Sequence, residues 1–116
     1  MMHRLFVIAR YRIHPGKFDR FCQTAAECLA LVRLKEAGTL RYDWYLSGDR
    51  RICVTIEIYE GCDTLLDQAA NLDGVLDRLM SLADLTLEFY GTSSEELLIE
   101  SKDLPATFYS LLQSLD

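Results

Sequence analysis

The stretch Ile52-Cys53-Val54-Thr55-Ile56-Glu57-Ile58-Tyr59 decides the fold, and Gly61-Cys62-Asp63-Thr64-Leu65-Leu66 follows it almost directly. Apolar β-branched residues occupy every second position of the first segment, which is the pattern of a strand with two different faces. The second segment predicts a turn that leads into a helix. Glu57 lies in mid-strand, where burial of a carboxylate without a partner is unfavourable. Either the face that carries Glu57 is exposed to solvent, or Glu57 is paired with a cation, or this face is part of a pocket.

The composition predicts one ordinary domain and excludes several functions. Half of the 116 residues are hydrophobic, which is enough for a core. The net charge of −6 and the scattered basic residues disfavour binding to nucleic acid or to anionic membranes. No apolar run approaches the ~20 residues of a membrane helix, and no secretory signal is visible, so a cytoplasmic protein is expected. Four cysteines without C-x-x-C spacing and two histidines disfavour a metal site.

Periodicity along the chain predicts the order β-α-β-β-α-β. Predicted strands cover residues 5–13, 39–46, 51–59 and 85–90. Predicted helices cover residues 15–37 and 62–83, the second with a break near residues 71–74. This order is the split βαβ, ferredoxin-like α+β arrangement, with one four-stranded antiparallel sheet and helices on one of its faces.

The remaining residues, 92–116, are predicted to be a helical C-terminal extension around Pro105. A helix-start signal is present at Ser93-Ser94-Glu95-Glu96. The predicted division is thus a ferredoxin-like domain at residues 1–91 and an extension at residues 92–116. Because its apolar residues should be buried against other apolar surface, the extension is expected to pack on its own subunit or on a partner subunit.

Alternation divides the strand residues into two sets. The first set is apolar and is predicted to lie under the helices: Leu40, Tyr42, Trp44, Leu46, Ile52, Val54, Ile56, Ile58, Leu85, Leu87 and Phe89. The second set mixes charged and aromatic residues, which suits a polar dimer interface or a shared barrel interior. Its carboxylates would need arginine partners if buried. The candidates for ion pairs on this barrel face are Arg10, Arg12, Arg41, Asp43, Glu57 and Glu88.

Four residues are candidates for a substrate pocket between sheet and helices. Tyr42 and Trp44 would line it with aromatic edges, or else serve only in core packing. Gln68 and Asn71 on the second helix would donate amide hydrogen bonds to a ligand, although Asn71 precedes the helix break, where capping is the usual role. No catalytic residue is identified from spacing, and no P-loop or dinucleotide fingerprint is present.

Three short patterns, in this order, resemble the antibiotic biosynthesis monooxygenase-like family of the dimeric α+β barrel group. They are Ala9-Arg10-Tyr11-Arg12-Ile13-His14-Pro15-Gly16-Lys17, Gly38-Thr39-Leu40-Arg41-Tyr42, and Ile56-Glu57-Ile58-Tyr59-Glu60 followed by Leu65-Leu66. The resemblance implies a homodimer whose sheets meet face to face in a barrel, with a pocket in each subunit. Active members of the family oxidise phenolic or quinol-type aromatic substrates with molecular oxygen, without flavin, haem or metal, so no cofactor is expected.

One position departs from the family pattern. Members often carry a histidine in the second helix, and the matching position here is near Gln68, which can neither act as a general base nor bind haem iron. The leading hypothesis is a cofactor-independent monooxygenase acting on a small aromatic metabolite. The alternatives are a non-catalytic dimeric module that binds a ligand or a protein, and an isomerase or lyase of the same barrel.

Overall fold

The apolar segment Leu5–Ile13 forms strand β1 at the centre of a sheet, where alternate residues are buried beneath helices. The computed structural model describes residues 4–35 and 38–115. The other strands are β2 (Thr39–Leu46), β3 (Ile52–Tyr59), β4 (Ala83–Tyr90) and β5 (Ala106–Tyr109). Their order in the sheet is β2-β3-β1-β4-β5, and β1 runs antiparallel to both β3 and β4. The predicted ferredoxin-like α+β class is confirmed.

The helices that cover this sheet are α1 (Phe18–Lys35), α2 (Cys62–Asn71), α3 (Asp73–Leu82) and α4 (Glu95–Glu100). The predicted break in the second helix is confirmed at Leu72, which separates α2 from α3 and is itself buried. Helix α1 begins three residues later than predicted, because Gly16 adopts a positive φ of 78° in the preceding turn. The predicted end of this helix near residue 37 lies outside the described residues.

The prediction of a four-stranded sheet is wrong, because the C-terminal segment adds the fifth strand. Strand β5 pairs in parallel with β4, from Leu87 opposite Ala106 to Tyr90 opposite Tyr109. Helix α4 forms where the sequence indicates, with the Ser94 hydroxyl accepting a hydrogen bond from the Leu97 amide at 3.1 Å. After Pro105 the residues alternate between the two faces of the sheet, and a helix is not resumed.

The predicted facing of β3 is also wrong. Directly opposed residues of an antiparallel pair share a face of the sheet, and Tyr42 lies opposite Glu57 while Trp44 lies opposite Thr55. The polar residues of β3 therefore point towards the helices together with Tyr42, and Cys53, Thr55, Glu57 and Tyr59 are all buried. The isoleucines of β3 lie on the open face instead. The register shifts between Thr39 and Arg41, an irregularity that alternation alone does not reveal.

Across residues 4–35 and 38–115, every helix falls short of what a bilayer-spanning segment requires.

The stacking of Phe108 on Phe89, with ring centroids 4.9 Å apart, is expected to hold β5 against the sheet. Replacing Phe108 with alanine should lower the free energy of unfolding by about 2 kcal/mol, since a half-buried aromatic ring loses less than a fully buried one. Chemical denaturation followed by circular dichroism measures this loss. Leu112→Ala is the control, because Leu112 is 93% exposed and should change nothing. Equal stability of Phe108→Ala and the wild type would contradict the assigned role of the stack.

Candidate functional site

A cavity of about 510 Å³ lies between the sheet and helices α2, α3 and α4. Its walls are mainly apolar and include Val7 on β1, Leu66 on α2, and Leu87 and Phe89 on β4. Tyr42 and Glu57 contribute polar atoms from the sheet, and Gln68 does so from α2. A few polar groups in a concave apolar site are typical of a binding site for a small molecule.

Glu57 is the central polar group of this cavity. It is only 6% exposed, although it is a glutamate in the middle of a sheet. The Thr55 hydroxyl donates a hydrogen bond to its Oε2 at 2.5 Å, and the Tyr59 hydroxyl donates one to its Oε1 at 2.5 Å. Both donors lie two residues from Glu57 on the same strand, so the pleat brings all three side chains to one face. The strand itself therefore provides the partners that a buried carboxylate needs.

The hydrogen-bond network continues from β3 to the helix above it. The Gln68 amide Nε2 donates to the Tyr59 hydroxyl at 2.5 Å, while Gln68 Oε1 accepts from the Thr39 hydroxyl at 2.8 Å. The two contacts fix the orientation of the buried Gln68 amide. Thr39 donates to Gln68, Gln68 donates to Tyr59, and Tyr59 donates in turn to Glu57, so this series of hydrogen bonds ends at the carboxyl group. The network is therefore arranged to stabilise Glu57 as a hydrogen-bond acceptor.

Burial dominates the acidity of Glu57. Removal from water raises the pKa of this carboxyl, and the hydrogen bonds from Thr55 and Tyr59 oppose that change only in part. None of the ion pairs found in the described part of the chain includes Glu57. A carboxyl of this kind binds a proton more readily than an exposed one, which is the property required of a general base or acid near neutral pH.

The neighbouring phenols are held in their neutral form. Burial, and next to it the charge of Glu57, raises the pKa of Tyr11 and Tyr42 well above the usual value. The same two causes, in the same order, raise the pKa of Tyr59. These hydroxyl groups therefore remain protonated. Those of Tyr11 and Tyr42, which line the cavity, can donate hydrogen bonds to an anion there, whereas Tyr59 already donates its proton to Glu57.

The structure brings two of the four predicted pocket residues to the cavity wall, Tyr42 and Gln68. Trp44 lies beside them but outside this wall, stacked on Tyr42 at 5.5 Å and on Tyr11 at 5.9 Å between ring centroids. Its buried indole N–H has no hydrogen-bond partner among the described residues. Asn71 is exposed at the end of α2 and is not among the residues of the cavity wall.

The predicted ion-pair residues are divided between the two faces of the sheet. On the open face Arg10 contacts Glu88 at 2.7 Å and Arg41 contacts Asp43 at 3.4 Å, while Arg12 is exposed. The assignment of Glu57 to this face is wrong, because the register of β2 and β3 places it under the helices. Its neighbours there are hydroxyl groups rather than arginines.

Sequence reasoning did not assign Glu57, Thr55 and Tyr59 to the cavity. The available signal was the spacing Thr55-x-Glu57-x-Tyr59, which places two hydroxyl donors beside a carboxylate on any strand. The thiol of Cys28 was also not recognised as a neighbour of the site, 3.4 Å from the Tyr42 hydroxyl. Within the described residues, no three His, Cys, Asp or Glu side chains are grouped as ligands for a metal ion.

The first part of the sequence matches a known family. Residues 4–67 match the family described as antibiotic biosynthesis monooxygenase. Among curated proteins, none matches the sequence.

Solved structures share the fold at low sequence identity. MupZ from Pseudomonas fluorescens is similar over 100% of this chain and 91% of its own, with a TM-score of 0.86 and 20% identity. SnoaB from Streptomyces nogalater, described as a cofactor-independent oxygenase, matches 79% of this chain and 95% of its own, with a TM-score of 0.69 and 16% identity. A conserved protein from Methanosarcina mazei Go1 matches 79% and 95%, with a TM-score of 0.70 and 18% identity.

The raised pKa of Glu57 should make stability depend on pH. Between the ordinary pKa of a glutamate and the raised pKa of Glu57, the folded state keeps a proton that the unfolded state has lost. The free energy of unfolding should therefore fall as pH rises through this window. Glu57→Gln cannot titrate, so its stability relative to the wild type should increase with pH. Urea denaturation of both proteins from about pH 4 to pH 8 measures the difference. If the stability of Glu57→Gln relative to the wild type stays constant or decreases with pH, the pKa of Glu57 is not raised by folding.

Proposed function

Because the chain belongs to the antibiotic biosynthesis monooxygenase family, we propose that its cavity binds a small phenol- or quinol-type aromatic substrate and oxidises it with molecular oxygen, without a cofactor. The observation that carries this proposal is the buried, hydrogen-bonded carboxyl of Glu57 in an otherwise mainly apolar cavity. The likeness to SnoaB, described as a cofactor-independent oxygenase, supports it at the level of the fold.

In this proposal Glu57 is the general base. Its carboxylate accepts the proton of the substrate hydroxyl, so the negative charge passes from Glu57 to the substrate. The cavity then carries one negative charge before and after the transfer, and no second charge has to be accommodated among apolar walls. The neutral Tyr42 hydroxyl lines the same cavity and can donate a hydrogen bond to the new phenolate.

Oxygen then reacts with the electron-rich phenolate ring. One oxygen atom enters at a ring carbon that carried hydrogen and becomes a carbonyl, and the other leaves as water with the two hydrogens that the substrate has lost. The substrate supplies all the electrons, and the product is a quinone. The residues of the chain contribute proton transfer, orientation and exclusion of bulk water.

A second candidate function uses the same residues without oxygen. A carboxyl with a raised pKa beside neutral phenols can move a proton from one atom of a substrate to another, as an isomerase or a lyase requires. The hypothesis of a non-catalytic module predicts a pocket filled by the protein's own side chains. An open cavity of about 510 Å³ favours a ligand instead.

We also propose that the chain forms a homodimer through the open face of its sheet. This face carries the half-buried side chains of Ile52, Val54, Ile56 and Ile58. Phe6 and Tyr45 beside them are 43% and 52% exposed, and the pair Arg10 and Glu88 lies on the same face. An apolar surface with a few ion pairs is suited to a second copy of itself.

Oxygen uptake by the purified, chelator-treated protein tests the oxygenase proposal. With a panel of quinols and anthrone-type phenols, the wild type should consume oxygen, and Glu57→Gln should lower kcat by about 10² to 10⁴ because the general base is lost. Glu60→Gln is the matched control, since the same chemical change is made at an exposed position just beyond β3. Unchanged uptake by Glu57→Gln would overturn the role of this residue. Proton exchange at a substrate carbon without oxygen uptake would favour the isomerase or lyase.

Sedimentation velocity tests the dimer. The wild type is expected to sediment as a dimer at micromolar concentration, and Ile56→Asp as a folded monomer, because a charge at the centre of the open face would remain unpaired in the interface. Leu34→Asp is the control, since Leu34 is 80% exposed on α1 and the same substitution should leave the dimer intact. A monomeric wild type would refute the proposed dimer.

A further inference from the structure

The charged side chains that line the cavity all have the same sign. Among the described residues of its wall, the charged members are Glu57, Asp67, Glu96 and Glu100, and none is a lysine, arginine or histidine. Glu57 is buried, whereas the other three are exposed and therefore lie where the wall meets solvent. A ligand that enters passes three carboxylates and meets a fourth inside.

The C-terminal segment supplies two of these carboxylates and holds them in place. Glu96 and Glu100 are four residues apart on α4, so they lie on the same face of this helix. Between them Leu97 is buried with an exposure of 2% and lines the cavity itself. The two carboxylates and the apolar side chain between them are thus placed at the cavity by one short helix.

Helix α2 contributes the third exposed carboxylate at the cavity opening. Asp67, Glu96 and Glu100 together form the rim of the cavity. Asp67 lies on α2, one residue before Gln68, whose side chain is fixed inside the cavity by Thr39 and Tyr59. The rim charges therefore belong to two separate segments of the chain, and both segments are anchored by buried neighbours. Acidic groups above walls of low dielectric constant concentrate a negative potential in the opening.

We propose that the ligand of this cavity enters without negative charge, as a neutral or cationic molecule, and that Asp67, Glu96 and Glu100 are specificity residues that keep anions out. This inference rests on the cavity being the binding site proposed above. A carboxylate, sulfate or phosphate group would be repelled at the rim and would find no cationic side chain among the described residues of the wall to replace its hydration. A neutral phenol passes the rim and acquires its charge only after Glu57 has taken its proton.

The charge preference of the cavity can be measured with a thiol, without any substrate. Ala70→Cys places a thiol on the exposed part of the cavity wall, in a chain that also carries Cys22→Ser and Cys62→Ser. Its rates of reaction with a cationic and an anionic methanethiosulfonate of similar size give a ratio. The native Cys22 on α1, exposed and outside the cavity wall, provides the reference ratio in a Cys62→Ser chain.

The cationic reagent should be favoured at the introduced thiol about tenfold more than at Cys22 at low ionic strength, and the preference should decrease at about 0.5 M salt. Glu96→Gln combined with Glu100→Gln should reduce the preference severalfold. Glu95→Gln is the matched control, because Glu95 lies on the same helix but not on the cavity wall, and it should change little.

Equal ratios at the two thiols, or a ratio that the double substitution leaves unchanged, would overturn the inference. Leu104→Cys repeats the measurement from the C-terminal segment, so a defect in one variant does not decide the result. Neither oxygen nor turnover is involved. A strong preference for the cation in a protein that consumes no oxygen would therefore refute the oxygenase and leave the charge selectivity intact.

Discussion

The burial of Glu57 beneath the helices is the constraint on which the site depends. It is possible because Thr55 and Tyr59, two positions away on either side, place hydroxyl donors on the same face of β3. The contact from Gln68 to Tyr59 then links the strand to α2, so that the helix covering the cavity is also part of the network that holds the carboxyl. Loss of any member would leave a buried polar group without its partner, which is costly in an apolar surrounding. The contacts that link α2 to the sheet thus also help to keep Glu57 buried, and burial is the main cause of its raised pKa.

Local patterns predicted most of the architecture. The strand that contains Glu57, the helix break at Leu72 and the start of α4 at Ser94 are all visible in the sequence, because periodicity and capping residues are local signals. The facing of β3 was predicted wrongly for a physical reason. The apolar face of β3 was expected beneath the helices, but which face meets them depends on which residues of β2 lie opposite, beyond an irregularity near Thr39. Pairing between distant segments sets this register, so the sequence of a single strand does not determine it.

Only part of the candidate site was predicted, again because the register between strands is not a local signal. Tyr42 and Gln68 were identified because aromatic and amide side chains at their positions suit a pocket, and the structure places both on the cavity wall. Glu57 was assigned to the opposite face, since an acidic residue in a strand of isoleucines is ordinarily the exposed member of the alternation. The hydroxyl donors that make its burial favourable become informative only when Thr55, Glu57 and Tyr59 are considered as one face.

Strand β5 has a consequence for how this protein avoids aggregation. An unpaired strand edge is a template on which other chains can form a sheet, and β4, with eight residues, would present such an edge if the chain ended at Gly91. The pairing of residues 106–109 covers the half of β4 from Leu87 to Tyr90 and replaces it with an edge of only four residues. Short edges are poor templates for sheet extension. The C-terminal segment therefore limits growth of the sheet at this edge, while the open face of the sheet stays accessible.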